Sequence, residues 1–122
     1  MPPTQIKDSA MHGVSFDDLM RNYERYVGKI LYLEGKVVQA QQTYGDTYAL
    51  RVSITKEGEG FGTTFYSDPI YVNYAGDRIL ENDIVGIYGQ VKGIKEYSAI
   101  FGQTIAIPEV NSLLLDVISK GN

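Results

Sequence analysis

Catalysis needs a nucleophile, a base or a metal set, and this chain is poor in all three. It has no cysteine and one histidine, His12. Disulfides, thiolate metal sites and cysteine nucleophiles are therefore excluded, and a multi-histidine metal centre with them. Acids gather in two places. Glu57 and Glu59 share a stretch with Gly58, Gly60 and Gly62, and Asp77, Glu81 and Asp83 follow further on. Loop acids can hold calcium through oxygen, but neither stretch has EF-hand spacing, and exposed carboxylates are ordinarily just solvated. The three glycines do not make a phosphate loop, because no lysine–serine/threonine ending and no clear helix follow them. The expectation is a protein that is not an enzyme and carries no metal and no cofactor.

Aromatic and cationic side chains offer more. The chain has ten tyrosines and four phenylalanines. Aromatic faces interleaved with a few cations are what single-stranded nucleic acid requires, since bases stack and phosphates pair. The competing reading is that tyrosines are good strand formers with a buried body and a wet hydroxyl. Charge also weighs against nucleic acid. The formal net charge is −4, and residues 29–107 hold seven lysines and arginines against nine acids. Nucleic-acid affinity would then rest on a local patch and fall with salt.

Such a patch must be positioned by the fold. At 122 residues, 43% hydrophobic and 21% charged, the chain has the composition of one globular domain. The expected division is a flexible arm over residues 1–13 and a single domain over 14–122. Ser15 can cap a helix, with Asp18 three residues on as a capping-box variant. Phe16, Leu19, Met20, Tyr23 and Tyr26–Val27 then recur at helical spacing, and Gly28 is placed to end the element in a left-handed turn. The spacing predicts a short amphipathic helix over 15–27.

From Lys29 the period becomes two. Leu31, Leu33 and Val37 share one register of a strand over 29–42, with Gly35 marking a bend. Residues 41–46 read as a turn. Over 47–56, Tyr48, Leu50, Val52 and Ile54 oppose Arg51 and Ser53. Residues 57–68 read as a long loop, and 69–74 as a third strand with Tyr71 and Asn73 facing outward. The connector 75–83 has room for one helical turn around 77–80. A fourth strand over 84–92 is interrupted by Gly86 and Gly89. Residues 93–102 read as a hairpin-like loop, 103–107 as a fifth strand ended by Pro108, and 111–120 as either strand or helix.

Five strands with a bent first one predict a mainly β fold, a closed five-stranded Greek-key barrel with a short N-terminal helix, because closure removes exposed edges. Several segments resemble a known group. Tyr26-Val27-Gly28-Lys29 with Glu34-Gly35-Lys36-Val37-Val38 is similar to the opening of the OB-fold modules called tRNA-anticodon-binding-like, found in bacterial proteins. Arg51 to Lys56, Tyr71 to Tyr74, Arg78 to Val85, Tyr88 to Gly93 and Ile105 to Glu109 look like its later strands. The resemblance spans about residues 15–118 and implies an OB-fold. It implies no particular ligand, and many of the resembling proteins are exported or membrane-anchored.

OB barrels bind oligonucleotides or oligosaccharides on the strand 2–3 face and its flanking loops. On that footing the candidate nucleic-acid-binding residues are Tyr32 and Lys36 on strand one, Arg51 on strand two, and Tyr71 and Asn73 on strand three. Tyr44 joins from one flanking loop, and Lys92, Lys95, Tyr97 and Phe101 from the other. The expected function is a non-enzymatic module for single-stranded DNA or RNA with modest affinity. The alternative is an interaction module for protein, peptide or glycan, associated with the envelope. No membrane insertion is expected, since apolar runs fall far short of about 20 residues. The strand-one edge and Leu113–Leu114–Leu115 are surfaces through which two copies would pair as a homo-oligomer. Met1-Pro2-Pro3-Thr4 carries no visible export signal, so the expectation is cytoplasmic for a complete chain and extracytoplasmic if a signal peptide has been removed.

Overall fold

The structure, a computed structural model, describes residues 2–60, 63–98 and 101–121. Three short helices, α1 (Pro3–Ser9), α2 (Phe16–Arg21) and α3 (Tyr23–Tyr26), precede five strands. These are β1 (Ile30–Tyr44), β2 (Thr47–Gly60), β3 (Thr63–Ala75), β4 (Ile84–Ser98) and β5 (Thr104–Ser119). The strands close in the order β1-β2-β3-β5-β4. Every neighbouring pair is antiparallel except β3 with β5. This is the five-stranded Greek-key barrel of the OB-fold.

The alternation over 47–56 explains the core. Leu50 and Val52 are fully buried with Leu31, Val37, Ile70, Val72, Val85, Ile87 and Val110. Side chains two apart share a sheet face, so the residues between them form an outer row. Ser53 departs from expectation, being buried at 5% exposure. The cause is its position opposite Lys36 at the bend of β1, where Gly35 lies directly against the Ser53 carbonyl.

The helical segment is capped as expected, Ser15 Oγ accepting from the Asp18 N–H at 3.1 Å. It is split at Asn22, whose dihedrals leave the helical region. There the Asn22 amide turns back to donate to Asp18, a side-chain bond that competes with helix continuation. The Tyr26 hydroxyl also donates to Asp18. That bond, then the one from Asn22, holds the Asp18 carboxyl below its usual range, and Asp18 in turn raises the Tyr26 phenol. Gly28 ends the segment at φ +84°.

The expected flexible arm instead contains α1, with Ile6 buried. Beyond α1, the Met11 N–H donates to the Ile30 carbonyl and its carbonyl accepts from Tyr32 N–H, both at 2.9 Å. The physical reason is an unpaired edge. Residues 30–35 of β1 pair with β4 on one side, while pairing with β2 begins only at Lys36. Met11 supplies backbone partners on the open side, so the edge expected to receive a second copy is covered at Leu31.

The strands are longer than their apolar alternation. β2 and β3 stay paired from Thr55↔Ser67 to Gly60↔Thr63, with a bulge between Lys56 and Gly58. The stretch expected as a loop is a hairpin arm, apart from residues 61–62 (including Gly62), which lie outside the described residues. Likewise β4 and β5 pair from Lys95↔Ile107 to Ser98↔Thr104. Most of the expected 93–102 loop is strand, and residues 99–100 lie outside the described residues. Pro108 does not end β5, and 111–119 are strand. Pairing with β3 begins only at Glu109, and β4 is bulged between Val91 and Gly93 opposite this point. A proline is tolerated at such a position.

β4 runs unbroken through Gly86 and Gly89, with register shifts at Ile84/Val85 and Tyr88/Gly89. The connector 76–83 has no helical turn. It is held instead by Val37, which exchanges backbone bonds with Asn82 and Asp83 at 2.7 and 2.9 Å, and by burial of Ile79.

Candidate nucleic-acid interface

The outer row of β2 and β3 places Arg51 directly opposite Tyr71, and Ala49 opposite Asn73. On the other side of β3, Tyr71 faces Glu109 and Asn73 faces Asn111 of β5. The outer arm of β4 then brings its side chains over this surface. The Arg51 guanidinium sits 4.3 Å from the Tyr97 ring centroid. The Lys95 ammonium sits 5.1 Å from that of Tyr71. Cations within about 6 Å of a ring centroid are attracted by its quadrupole. Two aromatic rings and two cations from three strands thus alternate on one face.

Glu109 belongs to the same surface and is 8% exposed. Its Oε2 accepts from Asn73 Nδ2 at 2.8 Å and lies 3.6 Å from Lys92 Nζ. Lys92 itself remains largely exposed, so this ion pair is solvent-screened. Asn73 Nδ2 also donates to Asn111 Oδ1 at 3.0 Å. A pocket of about 220 Å³ adjoins Tyr71 and Asn73 and runs to Thr43 and Thr47 beside the β1–β2 turn. Tyr74 closes one wall of it, its hydroxyl donating to the Asp77 carbonyl at 2.9 Å. Burial, then the Asp77 carboxylate, pushes the Tyr74 phenol up, so it stays neutral and a donor at ordinary pH.

Six of the ten candidate residues therefore converge: Arg51, Tyr71, Asn73, Lys92, Lys95 and Tyr97. No ring contact, ion pair or hydrogen bond among the described residues joins the other four to this cluster. Tyr32 is on the part of β1 paired with β4, between Tyr88 at 4.8 Å and His12 at 5.2 Å, ring centre to ring centre. Its hydroxyl donates to Glu34, and burial first, then Glu34, pushes its pKa up to about 12. Lys36 stands opposite Ser53, and no ion pair or ring contact among the described residues joins it to the cluster. Tyr44 is 85% exposed at the β1–β2 turn, and Phe101 is 88% exposed between β4 and β5.

Sequence reasoning missed Glu109 and Asn111. Their alternation with buried Val110 was the available signal, hidden by ending the strand at Pro108. Two of the acids weighed as cation ligands have other partners. Glu57 accepts from the Ser67 hydroxyl. Buried Asp83 accepts from the N–H groups of Leu80 and Gly121, at 3.0 and 3.1 Å. Among the described residues no three His, Asp or Glu side chains gather as a metal ion would need, and no helix is long and apolar enough to cross a membrane.

No family model matches the chain, and no curated protein matches it. Solved structures do. One is a protein described as an aspartyl-tRNA synthetase from Leishmania major Friedlin, at TM-score 0.61 and 13% identity, covering 93% of this chain. This chain spans only 22% of that one. Another is a small single-stranded DNA-binding protein from Streptomyces coelicolor, at TM-score 0.52 and 13% identity, covering 72% of this chain and 92% of that one. At such identities the likeness is one of fold, and it agrees with the OB topology read from the strand order.

Proposed function

We propose that this OB barrel is a non-enzymatic module that binds single-stranded nucleic acid across the outer face of β2, β3 and the β4 arm. The observation that carries the reading is the interleaved pair of cation–ring contacts, Arg51 on Tyr97 and Lys95 on Tyr71. A strand laid along this face would stack bases on the two tyrosines or on the Arg51 guanidinium plane and draw Lys92 and Lys95 to its phosphates. The fold supports the reading, since one structural neighbour is described as a single-stranded DNA-binding protein and another as a tRNA synthetase. The overall charge of −4 makes the interaction modest and salt-sensitive.

Absence of enzymatic chemistry remains part of the proposal. It is supported by the structural employment of Asp83 and by His12 standing exposed against Tyr32. The test is fluorescence anisotropy of labelled oligo-dT and oligo-U at about 50 and 200 mM salt. Micromolar or tighter binding that weakens with salt is expected, and no binding at the lower salt would overturn the reading. One observation favours a second reading, a module for a protein partner. Leu80, Val117 and Ile118 are exposed, and the first two line a 340 Å³ pocket away from the cluster.

A further inference from the structure

The polar patch beside Tyr71 has a defined hydrogen-bonding character. Tyr71 and Asn73 lie two apart on β3, facing Glu109 and Asn111 on β5. An ionised carboxylate can only accept, so the Asn73 atom 2.8 Å from Glu109 Oε2 must be its nitrogen. The same nitrogen donates to Asn111, which makes the facing Asn111 atom its oxygen. Both protons of the Asn73 amide are then spent. Three atoms are left over: Asn73 Oδ1 and Glu109 Oε1, which accept, and Asn111 Nδ2, which donates. None has a hydrogen-bond partner among the described residues, and none is a sealed unpartnered atom, so each meets solvent.

Two acceptors and one donor beside a stacking ring match one base in number and kind. The pairing edge of guanine offers two donors, N1–H and the N2 amino group, and one acceptor, O6. Thymine and uracil offer one donor between two acceptors. Cytosine offers one donor and two acceptors, and adenine one of each. Each of the latter would leave a protein acceptor facing an acceptor or nothing, and an unmatched polar group costs more than a matched one returns. The geometry points to Asn73, Glu109 and Asn111 as a base-reading patch that prefers guanine in single-stranded nucleic acid, with Tyr71 stacking the same base. This rests on the nucleic-acid reading of the face. Lys92, held only loosely to Glu109 at 3.6 Å, is then free to turn to a phosphate as the base takes over the carboxylate.

The test compares three labelled 11-mers: all thymidine, one with a single central guanine, and one with inosine there, which lacks the N2 amino donor. The guanine 11-mer is expected to bind at least about tenfold tighter than the thymidine one, and inosine to lose most of that gain, the scale of one good paired contact. Glu109→Gln keeps an acceptor for Asn73 but turns the free oxygen into a donor. It should abolish the guanine preference, so that the guanine, inosine and thymidine 11-mers bind the variant alike. Equal binding of all three 11-mers by the unaltered protein would overturn the guanine inference and leave the proposed function standing. Failure to bind any of them would overturn both. If Glu109→Gln does not fold, the inosine comparison decides alone.

Discussion

Replacing Gly35 by alanine tests how the barrel closes. Gly35 stands one residue before Lys36, the position at which β1 is paired with both β4 and β2. A Cβ built there would lie 2.3 Å from the Ser53 carbonyl oxygen, 2.9 Å from Val52 Cγ1 and 3.0 Å from the Ser53 carbonyl carbon. Ordinary contact needs about 1 Å more than the shortest of these allows. The obstructing atoms are mostly backbone of a strand bonded on both sides, so the strain cannot be relieved by a side-chain rotation. Overpacking of this kind costs about 1–3 kcal/mol and more where the neighbour is rigid, so we take about 3 kcal/mol. With a urea slope of about 2 kcal/mol/M, the unfolding midpoint should fall by about 1.5 M. Gly45→Ala is the control. It has φ +56° but nothing within 4 Å of its Cβ, so only the left-handed backbone penalty of about 1 kcal/mol applies. Urea unfolding followed by circular dichroism reads both. A Gly35→Ala midpoint within about 0.2 M of the unaltered protein would refute the account of the closure, as would an equal effect at Gly45.

Other outcomes follow from single contacts. Leu50, fully buried, should cost about 2–5 kcal/mol on truncation to alanine, with no change in the urea slope; a smaller loss would mean the core relaxes around it. Asp83→Ala removes the acceptor of two backbone N–H groups and should cost about 2 kcal/mol, with amides of Leu80 and Gly121 exchanging faster; unchanged exchange would contradict the clasp. Burial, then the Glu34 carboxylate, pushes the Tyr32 phenol from its ordinary 10.0 up to about 12. A raised phenol favours the neutral form in the fold, so its contribution is complete below pH 10 and is lost as the pH rises towards 12. Stability should therefore fall more steeply over that window in the unaltered protein than in Tyr32→Phe, and parallel curves would count against the burial of that hydroxyl.

The inner row of the barrel was legible because burial writes a period into the sequence. Tyr48, Leu50 and Val52 alternate against Arg51, and their core positions follow from that alternation. The hairpin arms were not legible for the converse reason. Beyond Thr55 and Lys95 the strands leave the core and are held by ladder hydrogen bonds, which any sequence can make, so glycine and charge there read as loop. The arm of β4 is also what sets the candidate site. Tyr97 and Lys95 were recognisable as aromatic and cation, but only strand geometry carries them back over Arg51 and Tyr71. Tyr32, on the same chemistry, faces a different surface because β1 pairs with β4 before it reaches β2. Glu109 and Asn111 were lost to a single residue, Pro108, whose usual meaning as a terminator does not hold beside a bulge.

The central claim is that one face, and not the tyrosine content in general, holds nucleic acid. The direct measurement is oligo-dT anisotropy at about 50 mM salt for Arg51→Ala and Tyr71→Ala beside Tyr44→Ala, each checked for fold by circular dichroism. Loss of a stacking partner is worth about 1–3 kcal/mol. Tyr71→Ala should weaken binding by about five- to a hundredfold and Arg51→Ala comparably, while Tyr44→Ala, at the turn, stays within about twofold of the unaltered protein. Undiminished binding by folded Arg51→Ala and Tyr71→Ala would contradict the account.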